Sequence, residues 1–208
     1  MEKGKDIEQI IKKQFCKIFK QNDWYSFKLM ADYYFKAAAE ILKKDVEIDE
    51  SYKLMARNIQ KRLFIGIGGE LLLKSLFLKN DFCINKVLEK ERKKDKALAD
   101  IKKPLKSDKS PKDTFLNPCD TYSFNQLIES LSDVMKFSDE SKVKKGLKIA
   151  KVFRNKEGHA VLLWHEADRQ NYTDIESSIK SIYKEGFEEN LEFKISFLKN
   201  ETAMFSKS

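Results

Sequence analysis

The stretch Leu63–Leu78, LFIGIGGELLLKSLFL, constrains the fold of this chain more than any other. It is apolar almost all the way round a helix, whereas residues 50–62 carry apolar side chains along one stripe only. A helix that is apolar on every side is buried on every side. The sequence therefore predicts a helix over residues 50–79 at the centre of the molecule. Its longest apolar run, which Glu70 interrupts, is too short to cross a bilayer.

Three glycines, Gly66, Gly68 and Gly69, lie within this predicted helix. They do not match a dinucleotide-binding loop, because no strand precedes them and their spacing is wrong. Two interpretations remain. The glycines let another helix pack closely against this one, or they mark a kink.

Helical spacing of apolar residues recurs elsewhere in the chain, and no segment has a convincing strand pattern. Two segments also match the capping box that opens many helices. We predict an all-α fold, a compact helical bundle of about five to six helices in one domain over residues 1–208. The further predicted helices are residues 6–21, residues 24–44 capped by Asp23, a helix opened by Ser123–Gln126, residues 139–155, and a last helix opened by Thr173–Glu176 that carries Ile175, Ile179, Ile182, Leu191 and Ile195.

Residues 89–118 break the helical pattern and contain all three prolines of the chain. We predict a long basic loop inserted between helices. Residues 89–112 hold ten basic and five acidic side chains, so they supply +5 of the net charge of +8. The loop is either an arm that follows RNA phosphates or a solvated segment that binds nothing. If it is an arm, the candidate RNA-binding residues are Lys90, Arg92, Lys93, Lys94, Lys102 and Lys103.

The three cysteines, Cys16, Cys83 and Cys119, are odd in number and far apart in the sequence. Their spacing indicates neither a disulfide framework nor a zinc site. Free thiols and a charged N-terminus without an apolar signal core favour a cytoplasmic protein. The overall basic charge suits a polyanion such as RNA, although lysine in such numbers can also be ordinary solvated surface. No sequence feature predicts a cofactor.

One Arg and both His of the chain fall within residues 153–166, although the chain has only five Arg and two His. Arg154 and His159 are five residues apart, which on an ideal helix places them about 140° apart around the axis. Either a bend at Gly158 aims both side chains into one cleft, or each meets its counterpart across a two-fold dimer axis. His165 lies six residues beyond His159, so the two histidines do not have the spacing of a helical metal pair.

Without a metal ion, an Arg and a His suffice to cleave RNA by attack of its own 2′-hydroxyl. The guanidinium fork suits phosphate, and imidazole exchanges protons near neutral pH. Asn155 can hold the phosphate or orient the imidazole, because its amide both donates and accepts hydrogen bonds.

The segment RNKEGH, residues 154–159, resembles the R-x4–6-H motif of the HEPN superfamily, in which a polar residue follows the Arg. Gly68–Lys79, GGELLLKSLFLK, is similar to the apolar core helix with an internal Glu and Lys that occurs in the superfamily. The resemblance spans about residues 24–198 and leaves out the basic insertion. It implies a metal-independent endoribonuclease, a homodimer with one composite cleft, and a toxin or antiphage role.

Carried over to this sequence, the resemblance makes Arg154 the residue that binds phosphate and stabilises charge, His159 the residue that transfers protons, and Asn155 the polar residue beside them. One subgroup has a Tyr two residues after the His that its antitoxin modifies, and here that position is Val161. Glu70 is a candidate support for the site. A buried carboxylate needs a partner, and either Lys74, four residues on, or Arg154 can be that partner.

Three functions follow from these patterns. The first is a ribonuclease with Arg154 and His159 at a dimeric cleft. In the second, a non-catalytic helical module binds RNA or a protein partner, Arg154 makes a structural ion pair, and His159 lies in the core. The third is an antitoxin-like or regulatory subunit with a cognate partner. Trp164 and His165 are expected to pack beside the motif, while Asp168 and Arg169 are expected at a solvated helix edge.

Overall fold

The computed structural model describes residues 16–41, 51–159 and 169–189, and these are mainly helical, as predicted. Four longer helices form the bundle and four short ones complete it. Their bounds are α1 (Trp24–Glu40), α2 (Ser51–Lys79), α3 (Glu89–Arg92), α4 (Lys96–Ala99), α5 (Phe124–Glu129), α6 (Leu131–Val134), α7 (Glu140–His159) and α8 (Arg169–Ser181). A π-helical turn, Ile182–Gly186, continues α8. The all-α prediction is confirmed.

Helix α2 is the central helix, as its composition predicted. It packs against α1 on one side and against α7 on the other, while α8 packs on α7. Leu72, Leu73, Leu76 and Phe77 in its apolar half are completely buried. Burial of this many apolar side chains in one element is the main source of the stability of the bundle. No helix within the described ranges combines the length and apolarity that crossing a membrane requires.

The three glycines of α2 allow close packing, which confirms one of the two interpretations. A Cβ atom on Gly66 would lie 2.6 Å from the Cβ of Arg154 and 2.8 Å from the carbonyl oxygen of Ala150, both on α7. A Cβ on Gly68 would lie 2.7 Å from the ring of Phe35 on α1. Because the neighbours at Gly66 include backbone atoms that cannot move aside, a larger residue there would force α2 and α7 apart.

The two predicted capping boxes had different outcomes. Ser123 and Gln126 form the box and open α5, because the Ser123 hydroxyl accepts from the Gln126 backbone N–H and the Gln126 side chain accepts from that of Ser123. The box at Thr173 was wrong, since α8 already begins at Arg169 and continues through Thr173. The predicted inner face of this helix is confirmed where it is described, because Ile175, Ile179 and Ile182 are buried. Leu191 and Ile195 lie outside the described residues.

The prediction of a helix over residues 6–21 was wrong for those of its residues that the structure describes. Residues 1–15 lie outside the described part of the chain, and residues 16–20 are not helical but lead into a 3₁₀ turn, Gln21–Asp23. Asp23 does precede α1, but its carboxylate does not cap that helix. It accepts instead from the backbone N–H of Lys20 and from the ammonium of Lys17. These local bonds fold residues 17–23 back on themselves.

Residues 88–121, which we call the excursion, are more ordered than the predicted loop. A strand β1 (Asn85–Val87) before the excursion pairs antiparallel with a strand β2 (Leu116–Thr121) at its end, so the prediction of no strands was wrong. Helices α3 and α4 and two 3₁₀ turns, Ser107–Lys109 and Asp113–Phe115, lie between the strands. The predicted insertion is therefore a small folded unit closed at its base by two strands.

The cysteine prediction was wrong for two of the three residues. Cys16 and Cys119, which are 103 positions apart in sequence, form a disulfide with their Cα atoms 4.7 Å apart. Cys83 is free and buried. Spacing in the sequence gave no sign of this pair, because only the fold of the excursion brings Cys119 next to the segment before α1. Of the three cysteines, only Cys83 is therefore a free thiol of the kind expected in a reducing compartment.

Candidate functional site

Arg154 lies on α7 where that helix crosses α2, and it is bound to the one carboxylate in the apolar half of α2. Its Nε lies 2.8 Å from Oε2 of Glu70. Glu70 is 7% exposed, so its charge is largely removed from water and depends on its partners. The predicted partnership between these two residues is confirmed.

Lys74 is a second partner of the same carboxylate. Its Nζ lies 2.9 Å from Oε1 of Glu70, one helical turn earlier on α2. Each carboxylate oxygen therefore has its own cation, and both partners that the sequence offered are used. The Lys74 side chain is 14% exposed and that of Arg154 is 41% exposed. Lys74 thus belongs to the support, while Arg154 extends toward solvent.

The Glu70 contact orients the Arg154 guanidinium without using all of its donors. Glu70 binds Nε, and the two terminal nitrogens have no partner among the described residues. A guanidinium fixed in this way can present its remaining N–H groups to a planar or tetrahedral oxyanion. The geometry is that of an anchored, partly exposed cation.

Gly66 is a part of this site whose role sequence reasoning missed. It faces the Arg154 backbone nitrogen directly, because a Cβ there would lie 2.7 Å from that atom. Gly66 lies four residues before Glu70, so the two share one face of α2. The four-residue spacing between Gly66 and Glu70 was the sequence pattern that could have revealed this role. Close contact at Gly66 brings α7 near enough for the Arg154 side chain to reach the Glu70 carboxylate.

The helical course of α7 separates the two residues of the motif. α7 continues through Gly158 to His159, so the glycine does not interrupt the helix as one interpretation expected. On an uninterrupted helix, positions 154 and 159 are about 140° apart around the axis. Asn155 is exposed next to Arg154, while the His159 side chain lies outside the described part of the structure, as do Val161, Trp164, His165 and Asp168.

The predicted RNA-binding residues of the excursion are largely engaged with their neighbours. Arg92 donates from a terminal nitrogen to the Ala99 carbonyl oxygen at 3.0 Å. Lys103 pairs with Asp133 at 2.9 Å, Lys94 with Glu91 at 3.3 Å, and Lys93 with Glu89 at 4.0 Å. Pairs at an exposed surface are weak and leave the lysines hydrated.

Lys90 and Lys102 are exposed and have no ion-pair partner among the residues that the structure describes. The excursion meets the bundle at α5, where Gln126 Nε2 donates to the Lys102 carbonyl oxygen at 3.2 Å. No described hydrogen bond or ion pair joins any predicted RNA-binding residue of the excursion to Arg154. Within the described ranges, the predicted arm and Arg154 therefore share no polar contact.

Comparisons with known proteins give no relative for this chain. It matches no family model, no curated protein and no solved structure. Within residues 16–41, 51–159 and 169–189, no group of three or more His, Cys, Asp or Glu side chains is arranged to hold a metal ion.

Proposed function

We propose that this chain is a metal-independent endoribonuclease of HEPN type, with Arg154 and His159 as its catalytic residues. The ion pair between Arg154 and buried Glu70 is the observation that carries this proposal. A surface arginine needs no buried carboxylate to remain charged. A carboxylate in an apolar helix that binds Lys74 through one oxygen and this guanidinium through the other fits an arginine whose position matters. A toxin or antiphage role, with a cognate antitoxin or regulator, belongs to the same proposal through the resemblance alone.

The proposed chemistry uses the RNA as its own nucleophile. The 2′-hydroxyl oxygen bonds to the adjacent phosphorus, and the bond from phosphorus to the 5′-oxygen breaks. The 2′-hydroxyl loses its proton and the leaving 5′-oxygen gains one, with His159 as the group that exchanges protons. Arg154 stabilises the charge that grows on the phosphoryl oxygens, and donors of this kind contribute on the order of 3 kcal/mol. The products carry a 2′,3′-cyclic phosphate and a 5′-hydroxyl.

A composite cleft between two copies of the chain is the arrangement we favour. Within one copy, an uninterrupted α7 directs Arg154 and His159 to sides of the helix about 140° apart. A two-fold axis near the end of α7 would let the Arg154 of one copy face the His159 of the other. Two histidines in one cleft would also supply a base and an acid for the two proton transfers.

Single substitutions test the catalytic assignment. With unstructured RNA in excess EDTA, the chain is expected to cleave and to leave cyclic phosphate ends. Arg154→Ala and His159→Ala are each expected to lower the rate by about a hundredfold or more. His165→Ala, at the only other histidine, and Lys148→Ala, at an exposed lysine of α7, are matched controls that should keep the activity. Undiminished cleavage by a folded His159→Ala variant would refute the assignment.

Glu70 is proposed as a positioning residue. Glu70→Gln keeps the shape of the side chain but removes the charge that holds Arg154. We expect kcat to fall by about tenfold, less than for Arg154→Ala, with an unchanged pH profile, because the proton-transferring group is untouched. A changed pH profile would mean that Glu70 itself takes part in proton transfer.

A non-catalytic module that binds RNA or a protein is the second candidate, and one observation favours it. The Arg154–Glu70 pair is also the structural ion pair that such a module requires. In that case RNA binding would be salt-sensitive and would depend on the excursion, without turnover. If RNA is bound but never cut, and removal of residues 90–112 abolishes binding, this second function is correct.

A further inference from the structure

A small cavity lies where the excursion meets the bundle, and its lining is mainly cationic and polar. It has a volume of about 190 Å³. Lys86, Arg92 and Lys102 supply three cations, Tyr122 and Gln126 add polar groups, and two aliphatic side chains complete the wall. These residues come from β1, from the excursion, from the turn before α5 and from α5 itself. Arg154 is not among them.

Tyr122 is a mainly buried side chain that lines the cavity. The residue is only 4% exposed, and its hydroxyl makes no hydrogen bond to any other described residue. Burial raises the pKa of Tyr122 to about 12, although the nearby charge of Arg92 opposes this shift. The hydroxyl therefore stays protonated and can donate a hydrogen bond to a ligand in the cavity.

Arg92 also has hydrogen-bond donors that the described residues leave unused. One terminal nitrogen is fixed on the Ala99 carbonyl oxygen at 3.0 Å, but its Nε is buried without a partner among the described residues. The nearest carboxylate, that of Glu89, is 3.9 Å from the other terminal nitrogen and is mainly in solvent. Such an exposed contact is worth little. Arg92 is therefore anchored at one end and has donors left for a ligand.

The charges around the cavity favour an anion with two negative charges. Lys86 is paired with Asp120 at 3.1 Å, so these two charges balance. Arg92 and Lys102 are not balanced by any close, buried carboxylate among the described residues. A phosphomonoester carries between one and two negative charges near neutral pH, and its oxygens accept several hydrogen bonds at once. The remaining cations and the Tyr122 hydroxyl match those acceptors.

We infer that this cavity binds the phosphate group of a 5′-phosphomonoester, as in a mononucleotide or at the 5′ end of an RNA. Lys102 and Arg92 would contact the phosphate oxygens, and Tyr122 would donate its unused hydroxyl from the floor of the cavity. Only the choice of RNA as one source of the phosphate rests on the proposed function. Binding of a mononucleotide requires no cleavage, so this site can exist whether or not Arg154 and His159 are catalytic.

Calorimetric titration of the full chain tests the site. We expect 5′-AMP to bind and adenosine not to bind, because only the former carries the phosphate. Tyr122→Phe keeps the ring in the core and is expected to weaken 5′-AMP binding by about tenfold, the effect of one hydrogen bond to a charged group. Lys96→Ala, which removes an exposed lysine of α4 away from the cavity, is the matched control and should bind normally.

Two further titrations distinguish the sources of the phosphate. Equal binding of inorganic phosphate and 5′-AMP would assign the cavity to the phosphate group alone. Tighter binding of a 5′-phosphorylated RNA pentamer than of its 5′-hydroxyl form would assign it to RNA ends. Equal affinity for adenosine and 5′-AMP, no binding of any phosphate compound, or an unchanged affinity in Tyr122→Phe would each overturn the site. Cleavage by the same preparation, measured separately, reports on Arg154 and His159 alone.

Discussion

The helical bundle and the excursion are held together by different forces. In the bundle, completely buried side chains such as Leu72, Leu76 and Phe77 form one extended core. The second core is small, and its buried residues are Leu116 of the excursion and Cys83 and Val87 just before it. A unit of this size buries too little apolar surface to be stable alone. The comparison shows how one chain combines apolar packing in one region with polar and covalent links in another.

Those links converge on the segment before α1. Asn85 is 1% exposed, accepts from the Phe19 backbone N–H at 2.8 Å and donates to the carbonyl oxygens of Lys17 and Asn117. The Cys16–Cys119 disulfide lies beside these bonds and joins the same two segments. One buried amide and one covalent bond thus fix the end of the excursion to the segment before α1, whereas the bundle uses many apolar contacts.

The largest expected effect comes from the bundle. Leu72→Ala leaves a cavity in the fully buried face of α2 and should lower the free energy of unfolding by about 2–5 kcal/mol. Leu98→Ala, its counterpart in the excursion, removes a side chain that is only partly buried and should cost less. Urea denaturation of both variants measures the difference. Equal losses would mean that the two regions do not differ in how they are stabilised.

Loss of the disulfide comes second. Reduction by a dithiol breaks the bond between Cys16 and Cys119 and should lower the free energy of unfolding by about 2–4 kcal/mol, because it closes a long loop. Hydrogen exchange should increase mainly in residues 16–20 and 85–121, while α2 keeps its protection. In Cys119→Ser the reductant should have no further effect. A uniform loss of protection across the bundle would contradict the division into two regions.

The smallest expected effect concerns a polar contact of the bundle. Tyr183 donates a hydrogen bond to the Asp32 carboxylate on α1. Burial and the Asp32 charge raise the pKa of Tyr183 above its usual value. A raised pKa in the folded state means that this contribution is present below about pH 10 and is lost as the pH rises further.

Tyr183→Phe should therefore cost about 1.5–3 kcal/mol at neutral pH, the value of a hydrogen bond to a charged group. The difference from the unsubstituted chain should shrink at about pH 11, where an unfolded tyrosine is ionised. Tyr33→Phe, at a tyrosine 61% exposed on α1, is the control. Urea denaturation at the two pH values measures both. If Tyr183→Phe lowers the free energy of unfolding by the same amount at both pH values, then ionisation of this tyrosine does not change the stability.

Local sequence patterns predicted the helices of the bundle because each helix depends on residues that are a few positions apart. The apolar run of α2 and the box at Ser123 depend on residues a few positions apart, and both predictions are confirmed. The capping-box prediction at Thr173 was wrong because the same pattern also occurs in the interior of a helix. The sequence predicted α1 and α7 for the same reason that it predicted α2, since their buried stripes repeat every three or four residues.

The excursion was not predictable, because its structure depends on partners far away in sequence. Asn85 and Lys17 are 68 residues apart, and the disulfide joins positions 103 residues apart. Short strands such as β1 carry too few residues for an alternating pattern. Lysine-rich composition also concealed the fold of the excursion, because charge indicates solvent exposure and not backbone conformation.

The site was predictable in part. A Glu in an apolar helix requires a partner, and the scarcity of Arg made Arg154 a natural candidate. The role of Gly66 and the position of Tyr122 in a cavity were not evident, since both depend on how separate elements pack.

The pairing of Val87 with Leu116 has a consequence for how this molecule can change over time. Because the chain enters and leaves the excursion at adjacent positions, the excursion can lengthen, shorten or be exchanged while the path of the bundle helices stays the same. The bundle and the excursion can then evolve at different rates, so that the surface of the molecule changes through this one segment while its core stays the same.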